Sequence, residues 1–210
     1  MKFFTKTLSA LALTLGAAAG FVPAASAQTP PTEKLTLWYT TPADEASSSN
    51  QWMDYYLPIG NGQFGAMLSG GVATDEIQFN EKTLWTGTIG QKSESEKSNK
   101  YGSYQNFGSL KVATGHSSQS NYIRTLDLTT ATGTVSYTTG GVEYTRQYIA
   151  SNPAQVIAVR YAASQGGKLN LTVSLTPGVS GTMTYSNGEG YFSGKLDVVS
   201  YNSRFKVVNT

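Results

Sequence analysis

From about residue 108 onward, apolar and polar positions alternate with a period of two. Leu169, Leu171, Val173 and Leu175 fall on one side of this pattern, and Asn170, Thr172, Ser174 and Thr176 on the other. Because successive strand residues point to opposite faces, the pattern predicts a half-buried β-strand with one wet face. Tyr122, Leu126 and Leu128 share a face in the same way, as do Val142, Tyr144 and Tyr148. Residues 156–161 read as apolar on both faces and predict a more central strand. Between these runs stand turn pairs: Gly140-Gly141, Asn152-Pro153, Gly166-Gly167, Pro177-Gly178 and Asn187-Gly188. Glycine and asparagine tolerate the positive φ of tight hairpins, and proline presets the entry to a turn. Short strands joined by tight turns at roughly ten-residue spacing predict an all-β fold, an antiparallel β-sandwich. No 20–50-residue repeat is visible, which argues against a propeller or solenoid.

The two ends read differently. Lys2 and Lys6 precede an apolar stretch from Leu8 to Leu15, and Ala25-Ser26-Ala27 supplies a small-residue cleavage site. Residues 1–27 are expected to be a signal peptide, which places the protein in the periplasm or outside a bacterial cell. Residues 28–32, with two prolines, are expected to be a flexible leader, and residues 33–210 the sandwich domain. At the other end, residues 204–208 look like a strand in progress with no closing element, so the sandwich is expected to be incomplete at its C-terminus.

Charge and composition narrow the partners. Of the 15 basic residues two lie within residues 1–27, leaving 13 against 13 acidic ones. A neutral surface offers no field for nucleic acid or an anionic membrane. Without a cysteine, disulfide stapling is excluded, and with one histidine so are the usual zinc sites. No metal site and no cofactor is expected. The polar surface is built from Thr, Ser, Asn, Gln, Gly and Tyr, a composition that suits a neutral hydroxyl-rich ligand and is equally common in secreted β-proteins.

Few motifs carry chemistry. Gly60-Asn61-Gly62-Gln63-Phe64-Gly65 spells a dinucleotide fingerprint, yet Pro58 precedes it and Gly70-Gly71 would break the helix it requires. A tight turn is the better reading. His116, in Thr114-Gly115-His116-Ser117-Ser118, is expected at an exposed turn, with no Gly-x-Ser-x-Gly elbow to make a triad. Asp75-Glu76 is expected at a turn, and Glu94 and Glu96 in a solvated loop spanning residues 86–106. Glu81 stands apart, in Asn80-Glu81-Lys82-Thr83-Leu84-Trp85 beside an aromatic. It is either a substrate-facing group or a turn cap next to a core tryptophan.

The stretch from Leu57-Pro58-Ile59-Gly60-Asn61-Gly62 through Gln78-Phe79-Asn80-Glu81-Lys82-Thr83-Leu84-Trp85-Thr86-Gly87 resembles the opening of glycoside hydrolase family 95. Tyr104-Gln105-Asn106-Phe107-Gly108, Tyr122-Ile123-Arg124, Tyr144-Thr145-Arg146 and Ser151-Asn152-Pro153 continue the likeness in order. The resemblance implies an N-terminal super-sandwich of an inverting α-L-fucosidase acting on glycans, often at α-1,2 linkages, with some relatives preferring galactosides. It also implies that the catalytic groups sit in an (α/α)6 barrel supplied in cis, so that this chain alone is inactive and holds no catalytic residue. Asn61, Asn80, Glu81 and Trp85 are the candidates for a position near substrate or at the barrel interface. The other reading is a free-standing carbohydrate-binding sandwich with a Trp/Tyr stacking platform.

Overall fold

The computed structural model describes residues 31–32, 35–46, 48–87 and 102–209, and the backbone of residues 11–16. The rest of the expected signal peptide and most of the polar loop at 86–106 lie outside the described residues. Where the pattern alternates, the chain is extended. The strands are β1 (Leu11–Gly16), β2 (Thr36–Tyr39), β3 (Leu57–Gly60), β4 (Phe64–Leu68), β5 (Thr74–Glu81), β6 (Gly108–Ala113) and β7 (Ser120–Asp127). They continue with β8 (Thr132–Thr139), β9 (Val142–Ser151), β10 (Val156–Ala163), β11 (Thr172–Pro177), β12 (Thr182–Ser186), β13 (Glu189–Leu196) and β14 (Val199–Asn209). A single short helix, α1 (Gln51–Tyr55), and one 3-10 turn at Ala43–Glu45 complete the described elements.

Two sheets face each other. The larger has the order β12-β13-β14-β1-β10-β9-β8-β7-β2, and the smaller β11-β6-β5-β4-β3. Between them Ile77, Leu110, Val112, Tyr137, Tyr148, Val159, Tyr161 and Phe192 form one continuous core. This is the all-β sandwich that the alternation predicts. The Gly140-Gly141 and Asn187-Gly188 pairs have positive φ at both residues and close two-residue hairpins between β8 and β9 and between β12 and β13. Pro58 lies in β3, at the edge of the smaller sheet, where a missing amide costs no ladder bond.

Some expectations change. Leu128 falls past the end of β7 and is exposed, because the chain turns at Asp127, whose carboxylate accepts from the Thr129 and Thr130 amides. β11 starts at Thr172, so Leu169 and Leu171 pack against the core from the preceding loop. β10 has one wet position at Arg160 and is central only through its pairing with β1. Asp75 is not at a turn but fully buried within β5.

The core faces of β7 and β9 each carry an arginine, at Arg124 and Arg146. Arg124 Nε donates to the Thr41 carbonyl at 2.9 Å and its NH1 to the Tyr55 carbonyl at 2.6 Å, and its guanidinium lies 4.2 Å from the Tyr39 ring centre. One guanidinium thereby ties the segment around α1 to the large sheet, satisfying carbonyls that no strand partner reaches.

Candidate functional site

The β3–β4 hairpin and the end of β5 bring the sequence candidates together. Asn61 opens the hairpin turn: its Oδ1 accepts from the Gln63 amide at 2.9 Å and the Phe64 amide at 2.7 Å. Gly62, at φ +86°, takes a conformation that a side chain would strain. The Asn61 Nδ2 donates to the Ser151 carbonyl at 2.8 Å, and Asn152 Nδ2 returns a bond to the Asn61 carbonyl at 2.8 Å. Asn61 therefore stitches the small sheet to the β9–β10 turn of the large one. The literal dinucleotide fingerprint is this turn.

Glu81, at 1% exposure, sits below the next turn. Its Oε2 accepts from the Thr83 amide at 2.8 Å and the Thr83 hydroxyl at 2.5 Å, while Oε1 accepts from Gln63 Nε2. Both carboxylate oxygens are thus used in holding the turn, and the group is buried beneath it. Asn80 bonds locally, its Oδ1 accepting from the Glu81 amide at 3.0 Å. The turn drives Leu84 into the core and leaves Trp85 outside, 47% exposed. Glu81 is a turn cap, but Trp85 is not the core residue that reading paired with it; Leu84 is.

Trp85 is nevertheless fixed. Its Nε1 donates to the Lys82 carbonyl at 3.0 Å, and a backbone bridge pairs it with Tyr104. The two rings lie 5.5 Å apart at 48°, both about half exposed. Burial, followed by the Glu81 charge, raises the Tyr104 hydroxyl's pKa, so it remains a neutral donor. The result is a fixed aromatic platform above a capped turn, with Asn80, Ser103 and Gln105 nearby in the chain and Gln63 bonded to Glu81. Such a surface can stack against the apolar face of a sugar ring or against another protein face. Among the described residues it has no acid–base pair.

A second polar group escaped the sequence reading. Asp75 Oδ2 accepts from the Tyr148 and Tyr161 hydroxyls, each at 2.6 Å, and lies 3.6 Å from Arg146 NH1. Arg146 donates to the carbonyls of Gly71 (2.6 Å) and Val72 (3.3 Å), and to the Tyr137 hydroxyl at 3.0 Å. Burial would lower the Arg146 pKa, but the Asp75 charge and the surrounding tyrosines outweigh it, and the guanidinium is held well above its usual range. Tyr148 and Tyr161 are pushed up by burial and then by Asp75. The readable signal was Arg146 itself, a charge between Tyr144 and Tyr148 on a core-facing row. The cleft beside it has about 10 Å³ of free space, enough for one water rather than a ligand. Among the described residues no cluster of acids and imidazoles is placed to hold a metal ion.

His116 reaches the rim of this group and is half buried rather than exposed, with Nδ1 2.8 Å from the Tyr137 oxygen and its ring 4.4 Å from that of Tyr144. That oxygen also accepts from Arg146, and a neutral His116 can take the Tyr137 hydrogen at Nδ1. Burial first and then Arg146 lower the His116 pKa. The unfolded chain therefore binds the proton more readily, and stability contributed by neutral His116 is lost as pH falls below about 6.5. Urea midpoints at pH 7.5, 6.5 and 5.5 should fall more steeply in the wild type than in His116→Phe. Parallel curves would remove His116 from the acid response.

The comparisons with known proteins agree with this architecture. The family model described as "Glycosyl hydrolase family 65, N-terminal domain" matches residues 37–101 and 91–209. The chain belongs to this family. Alpha-L-fucosidase 2 of Arabidopsis thaliana is 36% identical over 157 residues, covering 60% of this chain and 18% of that protein. The glycosidase N-terminal domain expected from the motifs is thus borne out, under the family 65 description, with an α-L-fucosidase as a relative. The family 65 N-terminal domain is the sandwich itself, and the Asn61 and Glu81 turns lie within its matched span.

Proposed function

We propose that this family 65 N-terminal domain is the non-catalytic scaffold of an exported α-L-fucosidase that cleaves terminal fucosyl linkages in glycans, α-1,2 linkages first, with inversion. The similarity to Alpha-L-fucosidase 2 carries the reading. It is supported by the chemistry of the candidate acid described near the platform: Glu81 is buried and holds Thr83 and Gln63, a turn-capping position rather than one that faces a glycosidic oxygen. Catalysis then belongs to a barrel elsewhere in the parent polypeptide, and Trp85 and Tyr104 face it or the glycan. Residues 1–27 direct export and are removed. No nucleic acid, membrane surface or cofactor enters this function.

The test uses an α-1,2-fucosylated lactose. The present chain should release no fucose. The parent should release it, with the β-anomer first in the proton spectrum. Release of the α-anomer, or a parent that ignores fucosides, would overturn the reading. In the parent, Trp85→Ala should lower kcat/KM on the order of tenfold, equal to about 1.4 kcal/mol. The same change should cost this chain no more than the ~1.5 kcal/mol of an aromatic pair. If stability and activity fall together, Trp85 serves the fold. The exposed Trp85–Tyr104 pair also favours a free-standing glycan-binding module. Calorimetric titration of the present chain with the same oligosaccharide separates the two, since the scaffold reading expects no heat of binding.

A further inference from the structure

The large sheet is antiparallel everywhere except at one place. Among the described strands the two parallel pairings both belong to β1, which lies between β10 and β14. β10 pairs with β9 and β1, and β14 with β13 and β1. With neighbouring strands about 4.8 Å apart, β10 and β14 stand one strand too far apart to bond each other. Without β1 the sheet is two pieces separated by a slot of single-strand width. Both walls would then present unpaired amides and carbonyls, at residues 158–162 and 205–209. The β10 wall contains no proline and one charge, Arg160, and so lacks the usual protection of an edge.

The sequence of β1 matches the slot. Leu-Ala-Leu-Thr-Leu-Gly alternates large and small residues with a period of two. Leu13 and Leu15 take the register positions of Val159 and Tyr161, and Leu11 that of Phe205; all three partners are buried. The small residues Ala12, Thr14 and Gly16 fall in register with Ala158, Arg160 and Ala162, none of them buried. An apolar leader segment thus carries a strand pattern in phase with the β10 wall; on the β14 wall the match is at Leu11, while Leu13 and Leu15 register with half-buried Val207 and exposed Asn209.

We propose that the gap between β10 and β14 is a strand-acceptor site, and that the leader segment Leu11–Gly16 is its occupant in the uncleaved chain. This occupancy does not rest on the export reading above.

The absence of native cysteine makes the test direct. In the full chain, Thr14→Cys with Arg160→Cys, and separately Thr14→Cys with Val208→Cys, place thiols at paired register positions. Adjacent strands fall within disulfide reach and alternate strands do not. Mild oxidation should cross-link both pairs within one chain. Thr14→Cys with Gln147→Cys, one strand further, should not cross-link. Failure of either register pair, or equal cross-linking of the control, overturns the proposal. Leu13→Pro gives a second measurement, because proline removes a ladder donor. Amide exchange at residues 158–162 and 205–209 should rise at least tenfold while β4 and β5 keep theirs; unchanged exchange also overturns it. N-terminal sequencing of secreted protein tests the export reading separately, whatever the cross-links show.

Discussion

Replacing Arg146 with Met should cost about 3–5 kcal/mol of folding stability, the expected penalty for leaving a buried charge without its partner. Asp75 is fully buried and its remaining donors are two tyrosine hydroxyls and a long contact from Ser69 at 3.4 Å. Removing the guanidinium also takes the Arg146 donor from the Gly71 carbonyl and one of two donors from the Val72 carbonyl, which keeps the Thr114 hydroxyl; both lie in the loop between β4 and β5. Methionine fills much of the same volume, so the loss is electrostatic rather than a cavity. Urea unfolding should show the midpoint falling with an unchanged slope. Adding Asp75→Asn to Arg146→Met should recover part of the loss, since the two residues act as one unit. A single-variant loss below about 1 kcal/mol would mean that water reaches Asp75, and the buried pair would lose its structural role.

Much of this fold was legible before any coordinates because the alternation and the turns agree locally. Gly140-Gly141 and Asn187-Gly188 specify hairpins that the flanking strands also want, so two levels of signal point the same way. Asp75 and Arg146 were misread or passed over for a common reason. A charged residue breaks a hydrophobic pattern, and only the partner on another strand, 71 residues away and in the opposite sheet, restores it. The site candidates show the same division. Asn61 and Glu81 stood out as polar groups at turns, and they are at turns; what they bond to could not be read from spacing. Trp85 and Leu84 are neighbours, and alternation alone does not say which of the two faces the core once the strand has ended. The slot beside β10 was invisible because period-two patterning sets the face of a residue and is silent on which strand lies next to which.

Phe107→Ala should also cost about 3–5 kcal/mol, as for other buried aromatic truncations, but its signature should be regional. Phe107 is 1% exposed and packs edge-on against Phe79 of β5, Phe192 of β13 and Tyr201 of β14, with ring centres 5.2–5.9 Å apart. It stands just ahead of β6 in the small sheet, so these contacts fasten β12–β14 across the core. In the large sheet the same three strands are joined to the rest only through β1. Backbone hydrogen bonds to β1 and this aromatic packing are thus two of their attachments, beside the Tyr185 hydroxyl on the Leu175 backbone of β11 and the Gly87 amide on Asp197. Losing the packing should raise amide exchange in β13 and β14 well before β7–β9 respond, a subglobal opening rather than uniform weakening. Phe107→Leu, which keeps most of the volume, should cost less than about 1.5 kcal/mol and leave that order intact. Exchange rising equally in all strands would show the domain to be one cooperative unit. Combined with Leu13→Pro, Phe107→Ala should exceed the sum of the single losses in β13–β14 exchange. With both weakened, the described ties that remain are side-chain bonds at Tyr185 and Asp197, too few to hold three strands closed.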